Sequence, residues 1–159
     1  MKAEIRIVFL AAAWILGMGA NLASAIPVAN KQGDYPVPPA RQRGNRQVNW
    51  LVVDSDPKGL NCRMAQRFRS ISVDGLNAPD ELFERNKHNV SQWPVVTVFR
   101  RGQRLEAVTG NNANQIMISD NQGKGWLPVS TQKGNCFVRA NSRFIKPIRE
   151  NPTTLKPLE

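Results

Sequence analysis

Side chains that could carry out chemistry are scarce in this chain, which has two cysteines and one histidine among 159 residues. Cys62 and Cys136 are far apart in sequence, and neither forms a recognisable zinc-ligand spacing with His88. Asp54 and Asp56 stand two positions apart before a proline, a context that favours turn formation over acid–base catalysis. No nucleophile motif, phosphate-binding loop or C-x-x-C pair is present. We therefore expect no catalytic residue, no metal and no cofactor, and a solvated histidine on the surface.

The first 25 residues have the layout of a secretory signal peptide. Lys2 and Arg6 form a basic start, the stretch 7–20 has no charge, and Ala23-Ser24-Ala25 places small residues around a cleavage site. A membrane-spanning helix needs about 20 apolar residues, so we expect no stable membrane anchor. A buried core helix is the alternative interpretation. Cleavage near Ala25 would release a periplasmic or extracellular protein that stays strongly basic, because the leader contributes only one unit to the net charge of +10.

Export changes how the two cysteines are interpreted. In an oxidising compartment an even number of cysteines favours a disulfide, so we expect Cys62 and Cys136 to be bonded to each other. In the cytosol the same residues would be two separate buried thiols. A bridge that closes so long a loop would stabilise the fold by roughly 4 to 5 kcal/mol on the chain-entropy account.

Residues 48–148 consist of short β-forming segments between turn residues, a pattern that is typical of a small barrel or a sandwich. Strands are expected at 48–53, 60–64, 94–100, 104–109, 115–119, 126–129, 136–140 and 145–148. The one helical candidate, Ala78 to Lys87, lies within the long connection 65–93. Residues 26–47, which are rich in proline and lack apolar periodicity, are expected to form a flexible linker. Residues 149–159 are expected to form a C-terminal tail.

Four segments carry a resemblance to one family, in the order in which that family has them. Residues 59–63 (GLNCR) are similar to G-L-N-V-R, and residues 93–102 (WPVVTVFRRG) to Y-P-V-I-G-T-L-K-K-G. Residues 125–129 (GWLPV) are similar to G-W-Y-K-V, and residues 133–148 to a closing strand, short helical turn and last strand. These are the motifs of bacterial SH3-like (Src homology 3, SH3b) domains. The resemblance implies an all-β fold, a small SH3-like barrel over residues 48–148, with a short helix in an inserted loop.

The chain departs from the family pattern at two loops and two residues. The connection 65–93 is longer than is usual in the family, and residues 110–124 are also extended. Cys62 stands at an inward position where the family usually has Val, and Cys136 stands near a usual Gly. The strands that carry them could be close in such a barrel, which agrees with a disulfide.

The resemblance also assigns binding roles. In eukaryotic SH3-like modules the aromatic residues at the positions of Trp126 and Phe144 line a groove for extended ligands such as Pro-rich peptides. In the bacterial branch it implies recognition of cell-wall peptide or glycan. Alternatively, both aromatics belong to the core or to a hydrophobic rim. Arg100 and Arg101 belong to basic clusters that would attract an anionic envelope surface, although a merely solubilising surface would have the same composition.

The sequence thus predicts an exported, non-enzymatic SH3-like module that binds a peptidoglycan peptide, a glycan or an extended peptide through Trp126, Phe144, Arg100 and Arg101. The alternative is a structural or regulatory domain whose insertion, residues 65–93, contacts another envelope protein. Nucleic acid is not an expected partner, because the chain is exported and has no interleaved aromatic–basic motif. Ligand identity and oligomeric state are left open.

Overall fold

The structure is a computed structural model that describes residues 26–37, 47–69, 79–109 and 116–148. The expected signal peptide at 1–25 and the expected tail at 149–159 lie outside these ranges. None of the helices in the described ranges combines the length and the apolar character that crossing a bilayer requires.

Eight short strands in the described ranges, all paired antiparallel, form the fold. They are β1 (Asn49–Val52), β2 (Leu60–Arg63), β3 (Val95–Phe99), β4 (Arg104–Glu106), β5 (Ile118–Ser119), β6 (Gly125–Val129), β7 (Cys136–Arg139) and β8 (Ile145–Pro147). Six strands agree within one residue at each end with the predicted ranges, whereas β4 ends three residues before its range does and β5 begins three residues after its range does; the all-β fold class is confirmed. The strands form a three-stranded sheet, β4-β1-β8, and a five-stranded sheet, β3-β2-β7-β6-β5. In the described residues the sheets do not close into one barrel, although a bridge joins Ala107 to Val129.

One core of buried apolar side chains takes residues from both sheets. Trp50 on β1 and Phe137 on β7 are its largest fully buried members. Cys62 and Cys136 form a disulfide between β2 and β7, with Cα atoms 5.5 Å apart and 74 positions between them in sequence. Both cysteines are fully buried, so the bridge lies inside the core and joins adjacent strands. The predicted disulfide is confirmed.

The insertion at 65–93 contains 3-10 helices, one of which lies inside the helical candidate Ala78 to Lys87. The described part has three such turns, at Gln66–Phe68, Asp80–Phe83 and Val90–Gln92. Glu84, directly after the second turn, has an extended backbone. The predicted short helix is therefore present as one 3-10 turn that ends at Phe83, because the polar residues 84–87 provide no apolar face to bury.

Residues 26–37, which the sequence analysis assigns to a flexible linker, pack against the domain, and we call them the strap. Tyr35 is 5% exposed, and its ring meets that of Trp50 edge-on with centroids 4.9 Å apart. Its hydroxyl donates to the Ile145 carbonyl at 3.2 Å, and its N–H donates to the Ala140 carbonyl at 3.2 Å. One buried aromatic and these hydrogen bonds hold the segment without regular structure, so it leaves no periodic signal in the sequence. Residues 38–46 of the expected linker lie outside the described ranges.

Candidate functional site

A cavity of about 470 Å³ brings together aromatic, cationic and acidic side chains from distant parts of the sequence. Its volume lies within the range of about 300–1,000 Å³ that is common for ligand sites. We call it the aromatic–basic pocket. It is lined by Asp54, Asp56, Gly59, Leu60, Asn61, Arg63, Ser91, Lys124, Trp126, Arg139, Asn141, Arg143 and Phe144.

The first aromatic wall of the pocket is Trp126 at the start of β6. Only 5% of this residue is exposed, and its indole Nε1–H donates to Asp120 Oδ2 at 2.9 Å. Asp120 is fully buried, and its other oxygen accepts the backbone N–H groups of Gln122 and Lys124, each at 2.9 Å. The turn before β6 is therefore built around one carboxylate, which also fixes the orientation of the indole.

The second aromatic wall is Phe144, which is half-buried in the turn before β8. Asn141 begins this turn: its carbonyl accepts the N–H of Phe144 at 2.9 Å, and its side chain accepts the N–H of Arg143 at 3.0 Å. The Phe144 carbonyl accepts the N–H groups of Val53 at 2.8 Å and Asp54 at 3.2 Å. These bonds tie the aromatic turn to the end of β1, so the two sides of the pocket have a fixed separation.

The acidic side of the pocket is the turn between β1 and β2. Asp54 accepts the N–H of Asp56 at 3.0 Å, and Asp56 accepts the N–H of Lys58 at 2.8 Å. The interpretation of these aspartates as turn formers is confirmed. Gly59 ends the turn with φ of +84°, and a Cβ there would come within 2.6 Å of the Phe99 carbonyl oxygen. Only glycine allows the turn to approach β3 this closely.

Arg139 is the one pocket cation whose charge is matched within the described residues. Its guanidinium forms an ion pair with Asp34 of the strap at 2.6 Å and donates to the Gly125 carbonyl at 2.8 Å. Asp34 also accepts the side-chain N–H of Asn141 at 2.6 Å. The Gly33 carbonyl accepts the N–H of Ser142 at 2.7 Å. The strap thus supports the turn that carries Phe144.

The other pocket cations are Arg63, Lys124 and Arg143, and no carboxylate of the described ranges forms an ion pair with any of them. Arg63 is half-buried, and one of its guanidinium nitrogens donates to the Trp93 carbonyl at 2.8 Å. This bond holds the guanidinium in place before any ligand arrives. Lys124 and Arg143 are exposed.

The predicted site residues divide into two groups. Trp126 and Phe144 line the same pocket, whereas Arg100 and Arg101 are not among its lining residues. Arg100 follows β3, and its guanidinium donates to the Pro57 carbonyl. The pocket also contains four cations that were not predicted as site residues: Arg63, Arg139, Arg143 and Lys124. For the last two a signal existed, because each stands within two positions of a predicted aromatic site residue.

The expectation of a solvated histidine was wrong. His88 is 4% exposed, its Nε2–H donates to the Glu81 carbonyl at 2.7 Å, and Arg67 approaches Nδ1 at 3.4 Å. The ring packs against Phe68 and Trp93, with centroids 5.8 and 5.4 Å away. Trp93 in turn packs against Phe137 with ring centroids 5.8 Å apart, so the insertion joins the main core. Across the described ranges, no three His, Cys, Asp or Glu side chains come together as metal ligands would.

Comparison of the chain with protein families, with curated proteins and with solved structures finds no match. The resemblance to bacterial SH3-like domains therefore remains a prediction from the four sequence segments.

Proposed function

We propose that the protein is an exported, non-enzymatic SH3-like binding module whose aromatic–basic pocket recognises a component of the cell envelope, a peptidoglycan peptide or glycan, or an extended peptide. The observation that carries the proposal is that Trp126 and Phe144, 18 positions apart in sequence, line one pocket together with cations that no carboxylate of the described ranges pairs. The half-buried Phe144 provides apolar area for an extended ligand, Trp126 contributes the edge that remains exposed from the core, and the cations around them provide orientation.

The rigidity of the pocket supports a binding role. Hydrogen bonds to Asp120 hold the indole of Trp126, and the Phe144 carbonyl is bonded to the end of β1. A site that is ordered before the ligand arrives loses less side-chain freedom on binding, so more of the contact energy appears as affinity. The Cys62–Cys136 disulfide also supports export, because such bridges persist in oxidising compartments.

Retention of the purified mature protein on isolated peptidoglycan tests the proposal. Phe144→Ala removes one wall of the pocket from a half-buried position and should reduce retention about tenfold, which corresponds to about 1.4 kcal/mol. Phe83→Ala is the matched control, because Phe83 is also half-buried but is not a lining residue of the pocket. Wild-type retention no greater than that of an unrelated basic protein would contradict the cell-wall proposal.

A second candidate function is protein–protein interaction through the insertion at 65–93. The observation that favours it is the packed cluster around His88, which gives the insertion a defined surface. That surface carries the exposed ion pair between Lys87 and Glu84 at 2.8 Å. If Lys87→Glu abolishes association with envelope material while Phe144→Ala preserves it, the insertion rather than the pocket is the contact surface.

A further inference from the structure

The charges that line the aromatic–basic pocket specify its ligand more closely. The lining has four cationic side chains and two carboxylates. We infer, on the basis of the proposed function, that the pocket selects a short zwitterionic peptide, one that carries a free carboxylate together with an amino group.

The carboxylate would be bound by Arg63 and Arg143. Arg139 is already paired with Asp34 at 2.6 Å, and Arg63 is held by the Trp93 carbonyl at 2.8 Å but has no carboxylate partner in the described ranges. A guanidinium is planar and offers parallel N–H donors that match the two oxygens of a carboxylate. Arg63 is half-buried, and an ion pair with it is stronger than one in bulk solvent because the surrounding protein lowers the effective dielectric constant.

The amino group would be bound by Asp54 and Asp56 on the other side of the pocket. Each aspartate uses its Oδ1 to accept a backbone N–H of its own turn. An ionised carboxylate has about four acceptor positions, so both retain capacity for an ammonium or amide N–H of the ligand. Their negative charge also opposes a polyanion, which would meet repulsion from two carboxylates in the same cavity.

This arrangement distinguishes a zwitterionic peptide from a phosphate polymer. Both ligands present oxyanions that arginine binds well. Only the peptide offers a positive or N–H-bearing group to the acidic turn, and only the peptide has apolar atoms to lie against the half-buried Phe144. The pocket therefore matches a peptide with charges of both signs.

Calorimetric titration of the mature protein with the synthetic peptide Ala-γ-D-Glu-Lys-D-Ala and three comparison ligands tests the inference. Amidation of both carboxylates should weaken binding at least tenfold, and acetylation of both amino groups should weaken it several-fold. Inorganic polyphosphate should fail to displace the peptide. Arg63→Gln and Arg143→Gln should each weaken binding of the free peptide five- to tenfold, with much less effect on the amidated one. Arg104→Gln, an exposed arginine that is not a lining residue, is the control and should bind as the wild type does.

Several outcomes would overturn the inference. Equal affinity for the free and the amidated peptide would show that the pocket does not recognise the carboxylate. Displacement of the peptide by polyphosphate would show that the pocket binds a phosphate ligand instead. Failure of every peptide to bind, with Phe144-dependent retention on peptidoglycan intact, would overturn peptide selection and leave the proposed function standing with a glycan as ligand. If peptidoglycan retention were lost as well, both the selection of a peptide and the proposed function would be contradicted.

Discussion

Replacing the buried Asp120 with asparagine should release the indole of Trp126 and destabilise the fold. Asp120 Oδ1 accepts two backbone N–H groups and Oδ2 accepts the indole N–H, all at 2.9 Å. An asparagine of the same shape can retain the two backbone bonds only if its NH₂ group faces the indole N–H, where two donors oppose each other. The flipped amide would instead oppose both backbone donors, so the first orientation is the less costly.

The expected cost is that of one hydrogen bond to a charged acceptor, about 2 kcal/mol. For a domain of about 100 residues this lowers the midpoint of thermal unfolding by about 8–16 °C. Urea unfolding, followed by far-ultraviolet circular dichroism, measures the free energy of unfolding directly. The m-value should stay unchanged, because the surface exposed on unfolding is the same.

A double-mutant cycle with Trp126→Phe isolates the bond in question. Phenylalanine has no N–H, so Asp120→Asn should cost much less in that background, with a coupling energy of about 1–2 kcal/mol. Phe83→Ala, which lies outside this network, should show no coupling to Asp120→Asn. Equal costs of Asp120→Asn in both backgrounds would refute the assignment of Asp120 as the residue that holds the indole.

Three further predictions follow from the core and the strap. Replacing both Cys62 and Cys136 with alanine should lower the free energy of unfolding by about 4 kcal/mol, measured by urea titration; a loss below 1 kcal/mol would contradict the loop-closure account. Burial raises the pKa of Tyr35, so folding favours the neutral phenol over the phenolate. The contribution of Tyr35 to stability is therefore complete below the unfolded pKa of about 10. It is lost as the pH rises through the pKa of Tyr35 in the folded protein. Because Tyr35 is the chain's one tyrosine, tyrosinate absorbance measures the titration of that residue alone. Titration at the ordinary pKa of tyrosine would contradict the raised pKa. An alkaline stability profile that is the same in Tyr35→Phe as in the wild type would contradict it too. Asp34→Ala should leave the guanidinium of Arg139 unpaired and cost about 1–3 kcal/mol in urea unfolding; an unchanged midpoint would show that the strap is not anchored there.

The strands could be predicted from the sequence because their pattern is set by neighbouring residues. The disulfide could be predicted because the number of possible cysteine pairings is small. Alternation of apolar and polar residues at Leu60 to Arg63 gives one buried face, and two cysteines allow only one intramolecular pairing. The run at 95–99 predicts a strand because β-branched side chains favour extended backbone. Such signals require no knowledge of how the strands pack together.

The strap and the environment of His88 could not be predicted, because both depend on contacts between distant residues. Tyr35 is buried against Trp50, and nothing in the proline-rich sequence around Tyr35 marks that contact. His88 is buried by Phe68 and Trp93, which are 20 positions before it and five after it. Contacts in the tertiary structure determine whether Tyr35 and His88 are buried or exposed. The composition of the neighbouring sequence carries little information about these contacts.

The candidate site was partly predictable for a related reason. The aromatic pair Trp126 and Phe144 follows from the family resemblance, whereas the basic residues of the pocket do not. Arg100 and Arg101 form the denser sequence cluster, but the turn after β3 places them outside the pocket lining. The density of basic residues along the chain does not show where the fold places their side chains. Whether a residue lines the pocket depends on that placement.

The most direct test of the central claim is a map of amide and indole chemical shifts in ¹⁵N-labelled mature protein, titrated with soluble fragments of enzymatically digested peptidoglycan. We expect concentration-dependent shifts of the Trp126 indole N–H and of the backbone N–H groups of Arg63, Arg143 and Phe144, with residues 79–85 of the insertion, none of which lines the pocket, largely unaffected. Shifts confined to the insertion, or no shifts at saturating fragment, would contradict the account of the aromatic–basic pocket as the binding site.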